Sequence, residues 1–180
     1  MNKCFRFFLV CAVMAFVGCG GNKNNKSTSE SVNTSKNNTN ECVTTIANPW
    51  IITDLQGIEK LCGRTLTLPD GVSDVVYTQM QRDTLGQARF QLDGNDYTVR
   101  IKKTQCFQDF SGVYVDWKTQ DSCVVKKCRG IERRGIYDGK VRHVILLQDV
   151  TDGYMYSISA SGDNLDSKMV KSVAEIIVEN

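Results

Sequence analysis

The chain has 180 residues, 41% of them hydrophobic and 23% charged, with a formal net charge of +2. That length suits one domain, and the composition excludes a polytopic membrane protein, a collagen and a fully disordered chain. The leader described next carries Lys3 and Arg6 away, which takes 22 basic residues down to 20, against 20 acidic ones, and leaves no bulk electrostatic case for nucleic acid.

Lys3 and Arg6 form a short basic start, and Phe7 to Val17 is an unbroken apolar run of 11 residues. That run is too short to span a bilayer and fits the hydrophobic core of a signal peptide. Phe16-Val17-Gly18-Cys19 then resembles a bacterial lipobox, with Phe16 where Leu is usual. The resemblance implies cleavage after Gly18, which makes residues 1–18 the signal peptide. It also implies diacylglycerol, with acyl chains such as palmitate, on the Cys19 sulfur. Two acyl chains suffice for stable anchoring. Residues 20–41 hold seven Asn, four Ser, three Thr and three Lys, with Val32 the one large apolar side chain. Such a stretch cannot bury enough surface to offset its ordering entropy. It reads, with Cys19, as a tether over 19–41, reaching roughly 25 Å as a flexible coil.

Residues 42–180 read as one domain. Thr53-Asp54-Leu55-Gln56 matches a capping box with Thr53 at the cap. Leu55, Ile58 and Leu61 then recur at helical spacing, and Gly63 is placed to stop the helix. Period-two alternation follows in Ala88, Phe90 and Leu92; in Tyr97, Val99 and Ile101; and in Val113, Val115 and Trp117. It returns in His143, Ile145 and Leu147, and in Tyr154, Tyr156 and Ile158. This pattern predicts half-buried antiparallel strands. Asp93-Gly94, Asp138-Gly139 and Asp152-Gly153 lie between such runs as hairpin turns. Asp166 is placed to cap a last helix, with Leu165 and Val170 as its hydrophobic staple. Met169, Val170, Val173, Ile176 and Ile177 form that helix's apolar stripe. The fold class is therefore α+β: a curved antiparallel meander of about six to eight strands, with a short N-terminal helix and a C-terminal amphipathic helix packed on one face.

Two segments carry a family resemblance. Asn48-Pro49-Trp50 precedes the first helix and Leu66-Thr67-Leu68-Pro69-Asp70 follows it. Near the end, Thr151-Asp152-Gly153-Tyr154-Met155-Tyr156-Ser157-Ile158-Ser159 leads into Leu165. The arrangement over residues 48–178 resembles a domain of unknown function found in lipoproteins of Gram-positive anaerobes. It is similar, too, to C-terminal extracytoplasmic regions of anti-sigma regulators. Members of the family often carry Trp before the last Asp-Gly turn, where this chain has Val150. The resemblance implies an envelope-associated α+β domain that binds or senses, and it brings no catalytic residue with it.

Eight cysteines reduce to five once Cys4 and Cys11 leave with the signal and Cys19 takes lipid: Cys42, Cys62, Cys106, Cys123 and Cys128. An extracytoplasmic setting permits disulfides, and an odd count leaves at least one thiol. Cys106 with Cys123 or Cys128, and Cys42 with Cys62, are the candidate pairs. A bridge between Cys123 and Cys128 would need a turn between them. A single histidine and no C-x-x-C pair argue against zinc. The carboxylate pairs Asp93/Asp96 and Asp149/Asp152 coincide with turns rather than with a calcium-loop spacing.

His143 is the one side chain whose ordinary pKa suits general-base work near neutrality. It shares a strand face with Ile145 and Leu147, as a core or rim histidine does. No G-x-S-x-G elbow accompanies it, and Ser111-Gly112 and Ser161-Gly162 read as turns. Residues 126–142 hold Lys126, Lys127, Arg129, Arg133, Arg134, Lys140 and Arg142 against Glu132 and Asp138, a local charge of 7 − 2 = +5. They form a candidate docking patch on a hairpin edge for anionic lipid or wall polymer, or a device against edge-to-edge aggregation. Tyr97, Tyr114, Trp117, Tyr154 and Tyr156 either line a pocket or fill the core under the last helix.

The expectation is a lipoprotein held at the cell membrane, outside the cytoplasm, or at an outer membrane in a Gram-negative host. Its domain would be a non-catalytic binding or sensing one without a metal or other cofactor. Its partners would be the membrane, through lipid on Cys19, and an envelope protein, an anionic polymer or an apolar ligand. Two alternatives accompany it: a carrier holding an apolar ligand between sheet and last helix, and an envelope hydrolase built on His143.

Overall fold

A computed structural model describes residues 48–179. The signal peptide, Cys19, the tether and Cys42 lie outside the described residues. Eight strands form one open antiparallel sheet: β1 (Ile51–Thr53), β2 (Ser73–Met80), β3 (Leu85–Leu92), β4 (Asn95–Lys103), β5 (Trp117–Val125), β6 (Cys128–Tyr137), β7 (Lys140–Asp149) and β8 (Tyr154–Gly162). Their order is β1-β2-β3-β4-β8-β7-β6-β5. Two four-stranded meanders therefore meet where β8, last in the chain, pairs with β4.

Helices α1 (Leu55–Cys62) and α2 (Ser167–Ile177) cover the same face. The α1 helix lies over β2 to β4 and α2 over β7, β8 and β5. Under them Tyr97, Val99 and Ile101 of β4 stand in register with Ala160, Ile158 and Tyr156 of β8. Ile145 and Leu147 of β7 continue those rows, and all of these belong to one buried core. The alternation read from the sequence thus marks the helix-covered face, as expected for a pleated strand.

Local signals set the element ends. Asp166 accepts from Met169 N at 2.8 Å and caps α2, with Leu165 and Val170 both buried beneath that turn. The cap of α1 falls one residue later than the capping box predicts: Thr53 pairs with Tyr77 as the end of β1, and Asp54 accepts from Gly57 N at 2.7 Å. Gly63, at φ +78°, ends α1 as read. At Asp93-Gly94 and Asp138-Gly139 both residues adopt positive φ, the geometry a two-residue hairpin needs.

One predicted strand does not form. Val113 and Val115 belong to an irregular strap over residues 104–116, and pairing begins only at Trp117. The strap leaves β4 and crosses the uncovered face. Gln105 O accepts from Gln148 on β7, Gln108 N meets the Met155 sulfur on β8, and Phe110 O accepts from Arg100 on β4. Crossing a sheet face removes the in-plane backbone partners that alternation alone presupposes.

Candidate functional site

The face opposite the helices is polar at its centre. From β8 it carries Met155, Ser157, Ser159 and Ser161, alternating with the core residues Tyr156, Ile158 and Ala160. The register builds rows across four strands. Arg89, Thr98, Ser159 and Val144 form one row; Gln91, Asp96, Ser161 and Arg142 form the next; Gln87, Arg100, Ser157 and Leu146 form a third. Short serine side chains in the middle strand, between longer side chains on its neighbours, make a trough along β8. The trough opens into a cavity of about 270 Å³ whose lining includes Arg89, Arg100, Arg142, Asp96, Thr98 and Ser159.

Arg100 is the best-held cation there. Its Nε donates to Gln87 Oε1 at 2.8 Å and its Nη1 to Phe110 O at 2.6 Å, and the guanidinium carbon sits 5.1 Å from the Trp50 ring centre. Gln87 in turn donates to Thr78 Oγ1 at 2.9 Å. The strap presses close: a Cβ on Gly112 would come within 2.6 Å of Arg100 Nη1. Burial pulls the guanidinium pKa down from its ordinary value, though an arginine stays charged. The Oγ atoms of Ser157 and Ser159 are buried without a hydrogen-bond partner among the described residues. Unsatisfied buried hydroxyls are uncommon and point to a ligand or water.

On the other side of the strap lies a wider cleft of about 570 Å³ lined by Asp109, Tyr114, Trp117, Arg133 and Tyr137. Tyr114 is 90% exposed. Arg133 is held by Asp109 Oδ2 at 2.7 Å and Gln120 Oε1 at 2.7 Å. Val113 lines both cavities.

The helix-covered face holds the two tightest charge clusters. His143 is fully buried, its Nε2 2.9 Å from Glu132 Oε1, and Lys171 Nζ on α2 lies 2.6 Å from Glu132 Oε2. Ser167 Oγ donates to Glu132 Oε1. Burial pulls the imidazole pKa down and outweighs the opposing pull of Glu132, whose charge Lys171 already matches. Glu132 itself is held below the usual carboxylate range by its bonds to Lys171 and Ser167, which outweigh its own burial. Ser167 spends its proton on the carboxylate and not on the imidazole, so the trio is not arranged as nucleophile, base and orienter. In the second cluster, at the β7–β8 turn, Arg64 and Lys127 bracket Asp149 and Asp152. Lys127 Nζ lies 2.9 Å from Asp149 Oδ2, and Arg64 Nη2 lies 2.6 Å from Asp152 Oδ2. Asp149 also accepts from Thr151 N and Asp152 N, so the carboxylate pair serves the turn as read.

The basic run is not one edge. The strand β6 lies inside the sheet, between β5 and β7, and alternation sends neighbouring side chains to opposite faces. Lys126 pairs with Glu179 at 3.6 Å, and Lys127 joins the turn cluster. Arg129 and Arg133 face the strap side; Arg134 turns to the helix side and donates to Leu165 O at 3.4 Å. Lys140 and Arg142 begin β7, and Arg142 alone of the seven lines the trough. Of the aromatic candidates, Tyr97, Tyr154 and Tyr156 are core, whereas Tyr114 and Trp117 line the wide cleft.

Among the described residues, Cys62, Cys106, Cys123 and Cys128 form no disulfide; the candidate pair of Cys42 with Cys62 involves a residue outside the described ones. A bridge from Cys106 to Cys123 or Cys128 is ruled out because Cys106 lies in the strap, while the other two belong to the core on the opposite face. The Lys126-Lys127 turn does lie between Cys123 and Cys128 and brings both to the same face. Burial raises the thiol pKa of Cys62 and Cys123, and that of Cys128 to about 11. Brief maleimide treatment of the folded chain should therefore label Cys106 and spare Cys62, Cys123 and Cys128 until denaturant is added, as peptide mapping will read. Labelling of Cys128 at the rate of Cys106 would contradict its burial.

Sequence reasoning did not single out Arg89 or Arg100, and it read Ser161-Gly162 as a turn, whereas both residues belong to β8 and pair with Arg142 and Val141 of β7. A signal was present: Ser157, Ser159 and Ser161 occupy the polar phase of a strand whose other phase is Tyr, Ile and Ala. Small hydroxyls there, in place of Lys or Glu, mark a covered polar face.

No family model, curated protein or solved structure matches this chain. No group of His, Cys, Asp and Glu among the described residues is arranged to hold a metal ion.

Proposed function

We propose that this protein is a lipid-anchored, extracytoplasmic binding domain without catalytic activity, and that it presents the strap side of its sheet to a polar ligand of the cell envelope. The observation that carries the reading is the trough: the centre of a sheet face given over to serines and arginines, with buried Ser157 and Ser159 hydroxyls that have no hydrogen-bond partner among the described residues. The lipobox at Cys19 and the polar tether supply the anchor and the reach.

The alternatives draw less support. Val170, Val173, Ala174 and Ile177 of α2 are buried in one core with Ile145 and Ile158, so side chains occupy the space a carried apolar ligand would need. His143 is buried beside a carboxylate and faces away from both cavities.

Two experiments test the two halves of the proposal. Growth with an alkyne-tagged palmitate should label the full chain and leave Cys19→Ser unlabelled; equal labelling of both would remove the anchor. The unlipidated Cys19→Ser chain should still co-sediment with isolated envelopes, and adding Thr98→Trp, which fills the trough from β4, should abolish this. Unchanged sedimentation would remove the strap side as the binding face.

A further inference from the structure

Arg89, Arg100 and Arg142 reach one cavity from three strands, and Asp96 is the single carboxylate in its lining. None of the three arginines forms an ion pair among the described residues, although Arg64 and Arg133 both do. Arg100 and Arg142 are partly buried and Arg89 is exposed; a partly buried guanidinium gains most from an anion, and the planar fork matches the paired oxygens of phosphate or carboxylate. Arg100 is already immobilised by Gln87, Phe110 O and the Trp50 ring. An anion meeting it does not have to order the side chain, which keeps the entropy cost of binding low.

Arg89 and Arg142 stand on either side. They are three strand spacings and one row apart, roughly 14 Å across the sheet. Each has a long side chain that can lean inward over Thr98, Ser159 and Ser161. Ser159 is 7% exposed, lines the cavity, and its Oγ has no partner among the described residues. That hydroxyl is a neutral donor in the wall of the cavity that the three arginines line.

The rest of the lining sets the remainder of the ligand. Gln87, Asp96, Thr98, Ser111 and Ser161 offer amide, carboxylate and hydroxyl groups, and only Val113 offers an apolar side chain, because Ala160 turns its methyl group to the core. An acyl chain would find little to bury against. A hydroxyl-bearing carbon skeleton would find partners throughout.

Resting on the binding face proposed above, we infer that the β8 trough is an oxyanion subsite. It takes the phosphate or carboxylate of an anionic sugar or polyol between Arg89, Arg100 and Arg142, with Ser159 donating to the same group.

The test is calorimetric titration of the full chain in detergent micelles with sn-glycerol 3-phosphate and with glucuronate, against glycerol and glucose as uncharged controls. At least one charged probe should bind and the controls should not. Binding of the phosphate probe alone assigns a phosphate-bearing source, binding of glucuronate alone a carboxylate-bearing one, and binding of both assigns recognition to the charge. Arg142→Gln and Arg89→Gln should each weaken binding about tenfold or more, as expected for a charge-assisted hydrogen bond. Both should keep the parent melting temperature, since neither side chain is core. Arg129→Gln carries the same charge change outside the cavity and should leave affinity unaltered. Rising salt should weaken binding further.

Failure of both charged probes with a folded chain overturns the inference. So does equal binding of glucose, or an Arg129→Gln loss as large as that of Arg142→Gln. If Thr98→Trp still abolishes envelope sedimentation in that case, the binding face stands and only the oxyanion assignment falls. If it does not, both fall.

Discussion

Glu132→Ala should destabilise the chain by about 2–3 kcal/mol, read from urea unfolding. Removing one member of a buried ion pair costs about 3–5 kcal/mol when the other charge is stranded. Lys171 is 40% exposed on its side chain, so it can turn to water and escape part of that penalty. His143, fully buried and with its pKa lowered, leaves no stranded charge but loses the acceptor beside its Nε2 with no water to replace it, and Ser167 loses its acceptor at the start of α2. Glu132→Gln keeps an acceptor for Ser167 and should cost less. A loss below about 0.5 kcal/mol for Glu132→Ala would place the cluster in the class of surface ion pairs.

The same cluster sets a pH dependence whose sign can be worked out. His143 has its pKa lowered by folding, so below about pH 6.5 the unfolded chain takes up a proton that the folded chain refuses. Stability from this group is complete above that value and falls as the pH drops through the window below it. Glu132 is also lowered, and its contribution is lost at still lower pH, as the carboxylate protonates. Both slopes have the same sign, so melting temperature should fall steadily on acidification. The charged groups facing His143 are Glu132, Arg134 and Lys171; Glu132 is held below the usual carboxylate range and the Lys171 pKa is raised, so neither of these two changes charge in the window just below pH 6.5. His143→Gln should therefore flatten the upper part of the curve and leave the lower part. A mutant curve parallel to the parent would exclude His143 as its source.

Ile158→Ala should cost about 2–5 kcal/mol, the range for truncating a fully buried aliphatic side chain. Ile158 has no exposed surface and sits on β8, in register with Val99 on one side and Ile145 on the other. The two meanders meet at this strand. Its neighbours are β-branched and backbone-fixed, so the site should collapse poorly and the cost should lie in the upper half of the range. Val150→Ala, on an exposed turn residue, serves as the contrast and should change stability by no more than about 0.5 kcal/mol. A loss under 1 kcal/mol for Ile158→Ala would mean that the junction between the meanders is not packed as described.

Much of the fold was legible in short-range pattern. The run Tyr154, Tyr156, Ile158 marks a strand and its buried face without reference to anything distant. Asp166 with Leu165 and Val170 marks both the start of α2 and the side it buries. The failures are equally specific. Val113-Val115-Trp117 alternates as a strand does, yet Val113 N donates to Ser111 Oγ and pairing with β6 begins only at Trp117. Thr53 fits a cap, yet β2 claims it as a pairing partner. The basic run reads as one patch on paper, yet an interior strand divides it between two faces.

By itself, the sequence determined strands β3, β4, β7 and β8 with their buried faces, the Asp93-Gly94 and Asp138-Gly139 turns, the Asp166 cap of α2 and the Gly63 stop of α1, because each depends on residues a few positions apart. The lipobox-like Phe16-Val17-Gly18-Cys19 and the polar stretch after it are likewise read in one dimension. Only the tertiary structure decided that β8 lies beside β4, that Arg89, Arg100 and Arg142 share a cavity, and that Ser159 is buried beneath them. Arg89 and Arg142 are brought together by the pairing of four strands, two of them joined only through the β4–β8 contact. That pairing is settled by which faces can be buried together across the whole sheet, a global balance of apolar area that no local window contains.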